Sequence, residues 1–146
     1  MGPSGIGKTT ILRTIAGLEN INKGSIALKG KTLSSENINI EPEKRNISLA
    51  FQENSLFPHY TVKKNILLGT ERNEIKKDKS INFEELINLL DISHILNKFP
   101  HEISAGEAQR ASLARSLITK PDLLLLDEPL SNVDQSFKEE IQEKLK

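Results

Sequence analysis

The chain has 146 residues, of which 36% are hydrophobic and 27% charged, with 20 basic side chains balanced by 20 acidic ones. This length and balance predict one globular domain, and the zero net charge gives no indication of a nucleic-acid partner. The lack of cysteine excludes disulfides, and no apolar stretch approaches the ~20 residues that cross a bilayer. A cytoplasmic protein is therefore the simplest expectation.

The first fifty residues predict a helix followed by two strands. In KTTILRTIAGLEN (8–20) apolar residues recur at helical spacing, and Gly17 is placed to end the helix. GSIALKG (24–30) alternates like a strand bounded by glycines, and NISLAFQ (46–52) is typical of a second strand.

The middle of the chain predicts helices. PHYTVKKNILLG (58–69) and NFEELINLLDISHILNKF (82–99) have helical patterns and are joined by a lysine-rich, turn-like link at 71–82. SAGEAQRASLARSLITK (104–120) predicts a third helix, with an apolar face formed by Ala111, Ala114, Leu117 and Ile118.

The last part predicts a strand and a helix. PDLLLLDEP (121–129) is a short, continuously apolar run, typical of a strand buried on both faces of a parallel sheet. DQSFKEEIQEKLK (134–146) predicts a final amphipathic helix. We therefore predict a single α/β domain, with a core at 1–52 and 111–146 and a helical insert at about 53–110.

Phosphate chemistry is indicated by the first ten residues, MGPSGIGKTT. From Gly2 to Thr9 they follow the pattern G-x-x-x-x-G-K-T, in which glycines let backbone N–H groups point at a phosphate and the next helix adds its positive end. Lys8 is placed to reach the β- and γ-phosphates, and the Thr9 hydroxyl to bind Mg²⁺. The alternative is a glycine-rich turn before an ordinary helix. The candidate binding residues are Gly2, Pro3, Ser4, Gly5, Ile6, Gly7, Lys8, Thr9 and Thr10.

Two acids follow the predicted strand LLLL. Asp127 and Glu128 stand where this strand ends, and ligands of open α/β sheets bind at the carboxyl ends of strands. Asp127 is placed to hold Mg²⁺, directly or through a water, and Glu128 to polarise an attacking water as a general base. The alternative, two acids in a solvated turn, loses weight because the phosphate loop is in the same chain.

The segment ISAGEAQR (103–110) has two interpretations. Ser104 and Glu107 form S-x-x-E, the capping box that begins a helix. Capping alone leaves Gly106, Gln109 and Arg110 together unexplained. A capped helix start beside small residues is also an anion site, so the chain would carry two phosphate-recognising surfaces.

Together these motifs resemble a known family. The phosphate loop, Gln52 after a strand, ISAGEAQR, LLLLDEP and SNVD (131–134) occur in the order found in nucleotide-binding subunits of ABC transporters. The resemblance covers essentially the whole chain. It implies a P-loop NTPase (RecA-like) parallel-sheet core with a helical insert, ATP and Mg²⁺ as cofactors, and a second ATP-binding subunit that completes a sandwich around two ATP molecules.

The resemblance also implies roles for individual residues. The signature residues Ser104, Ala105, Gly106 and Glu107 would lie against the γ-phosphate held by the other subunit's loop, with Ser104 and Gly106 touching it. Gln52 would sense Mg²⁺ and the attacking water, and residues 131–134 would cross the dimer interface. The catalytic candidates are thus Lys8, Gln52 and Glu128, and the metal candidates are Thr9, Gln52 and Asp127.

The stretch FQENSLFPHYTVKKNI is similar to importer subunits, in which the helical insert docks a permease loop. Phe57 and Pro58 are the candidate contacts, and a buried turn anchor is the alternative. This similarity implies membrane permease subunits and a solute-binding protein as partners, no nucleic acid, and a position on the inner face of the cell membrane. The transported solute is not specified by these residues.

The chain departs from the family pattern in its signature and at its ends. Ile103 stands for leucine, Ala105 for glycine and Glu107 for glutamine. The family also has an antiparallel sheet, an adenine-stacking aromatic residue and a strand before the loop, and a switch histidine beyond Lys146. We therefore expect a fragment, incomplete at both ends, that folds poorly and turns over little ATP alone.

Two other functions stay open from the sequence. One is a non-transport ATPase of the same superfamily, acting on DNA or ribosomes; the chain has no sustained heptads for a coiled coil between Gln52 and Ser104. The other is a non-catalytic remnant, which the intact Lys8, Asp127 and Glu128 disfavour.

Overall fold

The computed structural model describes residues 7–50, 56–71 and 82–126. These residues form two compact units. The first unit is built from the described residues up to 49 together with 121–126, and the second from residue 50 onward up to 120. The predicted division into a core and an insert at about 53–110 stays a prediction. The predicted final helix at 134–146 and most of the predicted link at 71–82 lie outside the described residues.

The first unit contains one helix and four short strands. Helix α1 spans Lys8–Ala16 and ends at Gly17, whose φ of 87° is the left-handed conformation that glycine adopts without strain. The predicted helix at 8–20 and its predicted stop are therefore confirmed. The strands are β1 (Ile26–Leu28), β2 (Lys31–Ser34), β3 (Ile47–Ala50) and β4 (Leu123–Leu126).

Two pairs of strands form in this unit. Strands β1 and β2 make an antiparallel hairpin, of which the sequence predicted only the first strand. Strand β3 pairs with β4. The Asp122 N–H donates to the Asn46 carbonyl at 2.9 Å, so the residues that precede the two strands are joined and the strands run in the same direction. This pair is the parallel part of the predicted α/β core.

Strand β4 is less buried than its apolar sequence predicts. Leu125 is buried, but Leu126 is 37% exposed, and Leu123 and Leu124 are half-buried. The prediction of burial on both faces is therefore wrong for these residues. Within the described part of the chain, β3 is the only strand paired with β4.

The second unit is helical. Helices α2 (Val62–Glu71), α3 (Phe83–Leu89) and α4 (Ala105–Leu117) form it, and α2 packs against α4. On α4 the predicted apolar face is confirmed, because its four residues, Ala111, Ala114, Leu117 and Ile118, are all at most 1% exposed. No helix within the described ranges is both long and apolar enough to span a bilayer.

The predicted helix at 82–99 is wrong in its second half. It begins as expected, because the Asn82 side chain accepts hydrogen bonds from the N–H groups of Glu84 and Glu85. It ends at Leu89, and Asp91 takes a left-handed φ of 49°. The reason lies in the core: Leu90, Ile92 and Ile95 are each 0% exposed. Residues two apart point to opposite sides of a helix, so the chain must turn to bury all three.

The predicted helix at 58–69 begins four residues late, at Val62. Residues 57–61 form a turn instead, in which the Tyr60 N–H donates to the Phe57 carbonyl at 3.2 Å. The cause is Asn65, which is fully buried. Its amide oxygen accepts the Phe57 N–H at 2.7 Å, and its amide nitrogen donates to three carbonyls at 3.1 Å, those of Phe57, Tyr60 and Thr61. The side chain thus takes the backbone groups that an earlier helical turn would need.

Candidate nucleotide site

The start of α1 carries the described part of the predicted phosphate loop. Gly7 caps the helix with φ 87° and ψ 16°, and its carbonyl accepts the Ile11 N–H at 3.0 Å. A Cβ built on Gly7 would meet nothing within 4 Å, so the backbone angle, and not space, makes glycine the residue that fits. Lys8 is half-buried, while Thr9 and Thr10 are exposed.

Electrostatics at this helix start favour an anion. Gly7 provides no side-chain hydrogen bond to the first turn, and no acidic residue lies in that turn. The N-terminal end of a helix carries a partial positive charge, which a capping carboxylate would offset. The positive end of α1 is therefore not neutralised from within its own turn, and Lys8 adds a further positive charge there.

Part of the predicted site lies outside the described residues. This holds for loop residues Gly2, Pro3, Ser4, Gly5 and Ile6, and also for Gln52, Asp127, Glu128 and the segment 131–134. Of the predicted phosphate-site residues, the structure brings Gly7, Lys8, Thr9 and Thr10 together at one helix start.

The start of α4 is a complete capping box. The Ser104 hydroxyl accepts the Glu107 N–H at 3.3 Å, and the Glu107 carboxylate accepts the Ser104 N–H at 2.7 Å. The Ser104 hydroxyl also donates to the same carboxylate oxygen, Oε2, at 2.7 Å. The predicted capping role of both residues is therefore confirmed. Ala105 is exposed beside them. A Cβ built on Gly106 would have Arg110 Nη1 as its nearest neighbour, at a distance of 4.0 Å.

Glu107 has a strongly perturbed acidity. Hydrogen bonds from the Ser104 hydroxyl, the Ser104 N–H and His94 lower the pKa of the Glu107 carboxyl to about 2. The His94 Nε2 lies 2.8 Å from the second carboxylate oxygen, Oε1. Each of these three groups stabilises the charged form, so Glu107 stays a carboxylate at any physiological pH.

The sequence does not predict the contact of His94 with Glu107. The His94 side chain is 52% exposed, yet its ring lies against the signature helix. No spacing rule pairs the two positions, because His94 stands in a 3₁₀ turn (Ser93–Ile95) and not on a helix with Glu107. The sequence offers one signal for this contact, which is that His94 precedes the capping box along the chain.

The turn at 57–61 displays an aromatic cluster. Phe57 is 45% exposed, so the alternative of a buried turn anchor is wrong for its ring. The Phe57 ring stands edge-on to Tyr60 at 6.2 Å and under the Arg115 guanidinium at 5.7 Å. Lys64 lies 4.2 Å from the centre of the Tyr60 ring. Pro58 is exposed beside this cluster.

These observations define the class of the protein. A glycine-capped helix that begins with lysine and threonine lies beside a parallel strand pair, and a capped serine helix stands in a separate helical unit. This combination is that of an α/β P-loop nucleotide-binding protein. A profile of the ABC transporter family matches residues 1–131, which is most of the chain. The chain belongs to the ABC transporter family.

Relatives with assigned roles are ATP-binding proteins of import systems. The chain is 43% identical to the molybdenum import ATP-binding protein ModC of Haemophilus ducreyi, over 97% of this chain and 39% of the relative. It is 40% identical to the Fe(3+) ions import ATP-binding protein FbpC of Fusobacterium nucleatum, over 100% of this chain and 38% of the relative. It is 42% identical to the spermidine/putrescine import ATP-binding protein PotA of Pseudomonas fluorescens, over 100% of this chain and 40% of the relative. The chain thus spans about two fifths of these relatives.

The fold of this chain is also similar to that of solved ABC transporter cassettes. The dimeric structure of MJ0796, a bacterial ABC transporter cassette, matches with a TM-score of 0.76 and 25% identity, over 99% of this chain and 66% of that one. A post-hydrolysis MJ0796 structure bound to ADP and Pi matches with a TM-score of 0.75 and 26% identity. The predicted P-loop α/β fold class is therefore confirmed.

Proposed function

We propose that this chain is the ATP-binding and ATP-hydrolysing part of an ABC importer. The start of α1 carries the proposal, because Gly7, Lys8 and Thr9 present a positive helix end without a side-chain cap, and relatives in the family are ATP-binding import proteins. The triphosphate of ATP supplies the negative charge that such a helix end attracts. Binding and turnover experiments distinguish this function from the two alternatives, a non-transport ATPase and a non-catalytic remnant.

Different residues of the loop would bind different parts of ATP. The backbone N–H groups of the loop between Gly2 and Thr10, except at Pro3, would surround the phosphates, and Lys8 would neutralise charge on the β- and γ-phosphates. The hydroxyl of Thr9, which is exposed in the first turn of α1, and the oxygens of Gln52 and Asp127 are the donors that Mg²⁺ prefers. When bound, Mg²⁺ would offset the charge that develops on the transferred phosphate.

Hydrolysis requires a base and an oriented water. Glu128 follows the apolar strand β4, and it would accept a proton from the water that attacks the γ-phosphate. Gln52 would orient that water through its amide group. Glu128 would thus hold the proton, Gln52 would position the water, and Lys8 would stabilise the phosphate charge.

The signature helix would complete the site in a second subunit. Ser104 and Gly106 would approach the γ-phosphate bound by the partner's loop, and residues 131–134 would line the contact between subunits. The Ser104 hydroxyl now donates to Glu107 at 2.7 Å. To donate to a phosphate it must give up that bond, so closure of the dimer includes a rotation of the Ser104 side chain.

The proposed complex contains further partners. The exposed Phe57 and Pro58 would contact a loop of the membrane permease, with Asn65 holding their turn in place. A solute-binding protein would deliver cargo to the permease, and the chain would lie in the cytoplasm against the inner face of the membrane. The relatives are named for molybdenum, Fe(3+) and polyamine import, and we assign none of these cargoes to this chain.

Nucleotide binding tests the first step of this function. In this protein, K8A should weaken binding of a fluorescent ATP analogue, because it removes the cation that would face the phosphates. The matched control is K23A, which removes an exposed lysine from the loop after α1. Equal affinity of K8A, K23A and the unmodified protein would refute the proposal.

Turnover tests the second step. E128Q should retain ATP binding while losing hydrolysis, because the amide cannot accept the proton of the water. Phosphate release by permease-containing vesicles, compared with and without transport substrate, separates an importer from a non-transport ATPase. Hydrolysis that persists in E128Q would show that Glu128 is not the base, and binding without any hydrolysis in the unmodified protein would favour the remnant.

A further inference from the structure

Arg45 is a buried cation that joins the far end of α1 to the loop after β2. It precedes β3 and is 2% exposed. Its guanidinium has five N–H groups, and each has an acceptor. The acceptors are the Ile40 carbonyl at 2.7 Å, the Thr14 carbonyl at 3.2 Å, the Ile15 carbonyl at 2.9 Å, the Ser34 hydroxyl at 2.7 Å and the Asn39 amide oxygen at 2.7 Å.

This network is fitted to an arginine. All five acceptors are neutral, so the residue is held by geometry and hydrogen bonds, not by an opposing carboxylate. Burial lowers the pKa of the Arg45 guanidinium from its usual value, although arginine keeps its charge in proteins. A lysine offers three donors on one atom and cannot reach the helix and the loop together.

On the helix side, Arg45 completes the end of α1. The last carbonyls of a helix have no partner within it. Here the Arg13 carbonyl accepts the Leu18 N–H at 2.9 Å and the Thr14 carbonyl accepts the Gly17 N–H at 3.1 Å. The Ile15 carbonyl is taken by Arg45. A cation at this end also lies where the helix dipole is negative.

Gly17 makes room for the guanidinium. A Cβ built on Gly17 would lie 2.5 Å from Arg45 Nε and 2.7 Å from Arg45 Cζ, which is closer than real Cβ contacts. Because the guanidinium is held at five points, it cannot yield as a flexible side chain would. Gly17 therefore serves two purposes, a left-handed helix end with φ 87° and a close approach to Arg45.

We propose that Arg45 is a positioning residue for the ATP site. By fixing the last turn of α1 to the Ser34–Ile40 loop, it sets the position of the whole helix, and so of Lys8 and Thr9 at the other end. A nine-residue helix is a rod of about 13 Å, short enough to move as one body when its end is released. The inference that Arg45 positions Lys8 and Thr9 for ATP rests on the proposed function. The inference that Arg45 fixes the position of α1 does not.

The experiment compares three variants of the complete protein. R45K keeps the charge but loses the fork, and G17A displaces the guanidinium while leaving it in the chain. L33A is the control, because Leu33 is 3% exposed in β2, alternates with Ser34 along the strand and accepts no hydrogen bond from Arg45, so it destabilises the same unit and keeps the Arg45 network. Affinity for a fluorescent ATP analogue with Mg²⁺ is measured well below the melting temperature of each variant. Amide hydrogen exchange of α1 is measured without nucleotide.

We expect R45K and G17A to weaken nucleotide binding by roughly tenfold or more; for comparison, misplacing a group by about 1 Å can cost an enzyme about a hundredfold in rate. Both should also speed exchange of the amides at 12–16 and leave the hairpin β1–β2 protected. L33A should speed exchange throughout the unit and keep its nucleotide affinity. N39A, which removes one loop acceptor from an exposed position, should act in the same direction as R45K but less strongly, and it serves if R45K does not fold.

Two results would overturn the proposal. Unchanged affinity and exchange in R45K would mean that Arg45 does not position α1. An equal loss of affinity in L33A at matched stability would reduce Arg45 to a general contributor to folding. If the unmodified protein binds no nucleotide, the proposed function fails, and hydrogen exchange alone decides whether Arg45 holds the helix.

Discussion

The buried Asn65 allows a quantitative prediction about the turn that displays Phe57. In N65L the amide is replaced by a side chain of similar size without polar atoms. The Asn65 oxygen accepts one hydrogen bond, and its two N–H donors serve three carbonyls, which amounts to about three hydrogen bonds. At a net contribution of ~1 kcal/mol each, their loss costs about 3 kcal/mol. Water can replace part of this, because Phe57 is 45% exposed, so we expect about 2–3 kcal/mol.

Urea denaturation of the complete protein measures this loss. With a dependence of roughly 1–3 kcal/mol per molar urea, the midpoint should fall by about 0.7–3 M. The control is N88L, an exposed position on α3, which should change stability by less than about 0.5 kcal/mol. An N65L midpoint equal to that of N88L would refute the account of Asn65 as the residue that organises this turn.

Three further predictions concern single positions. The pKa of Glu107, about 2 against an ordinary 4.5, means that its stabilising effect is complete above pH 4.5 and is lost as pH falls towards 2; the melting-temperature difference between the unmodified protein and E107Q should shrink over that range. L117A, at a residue 1% exposed, should lower the free energy of unfolding by about 2–5 kcal/mol in denaturant titrations. G7A should cost about 1–2 kcal/mol, the price of φ 87° for alanine without any clash, and calorimetry should detect no larger effect.

The fold could be predicted where local rules and burial agree. α4 has a serine cap, a glutamate three residues later and an apolar face, and all three signals point to one helix that the structure contains. The helix predicted at 82–99 failed because its apolar residues satisfy a helical pattern only up to Leu89. Beyond that point the burial of Leu90, Ile92 and Ile95 required a turn, and a requirement of tertiary packing is not visible in a periodic pattern.

The candidate site could be predicted as motifs but not as contacts. The sequence places Lys8 and Thr9 at a helix start because the glycine pattern is local. It does not pair His94 with Glu107, 13 residues away, or Arg45 with the Thr14 carbonyl, 31 residues away. These partners meet only after the chain has folded, and neutral acceptors such as carbonyls leave no charge pattern that could identify them.

The two candidate phosphate contacts of this chain differ in their electrostatics. Helix α1 begins after a glycine, with no side-chain cap and no acid in its first turn. Helix α4 begins with a serine whose hydroxyl donates to Glu107, a carboxylate held ionised by three hydrogen bonds. An anion is attracted to the first helix start, whereas at the second it meets a negative charge and an occupied hydroxyl. The affinity for ATP should therefore reside almost wholly at α1, and α4 should contribute only after a bound phosphate has displaced the Ser104–Glu107 bond.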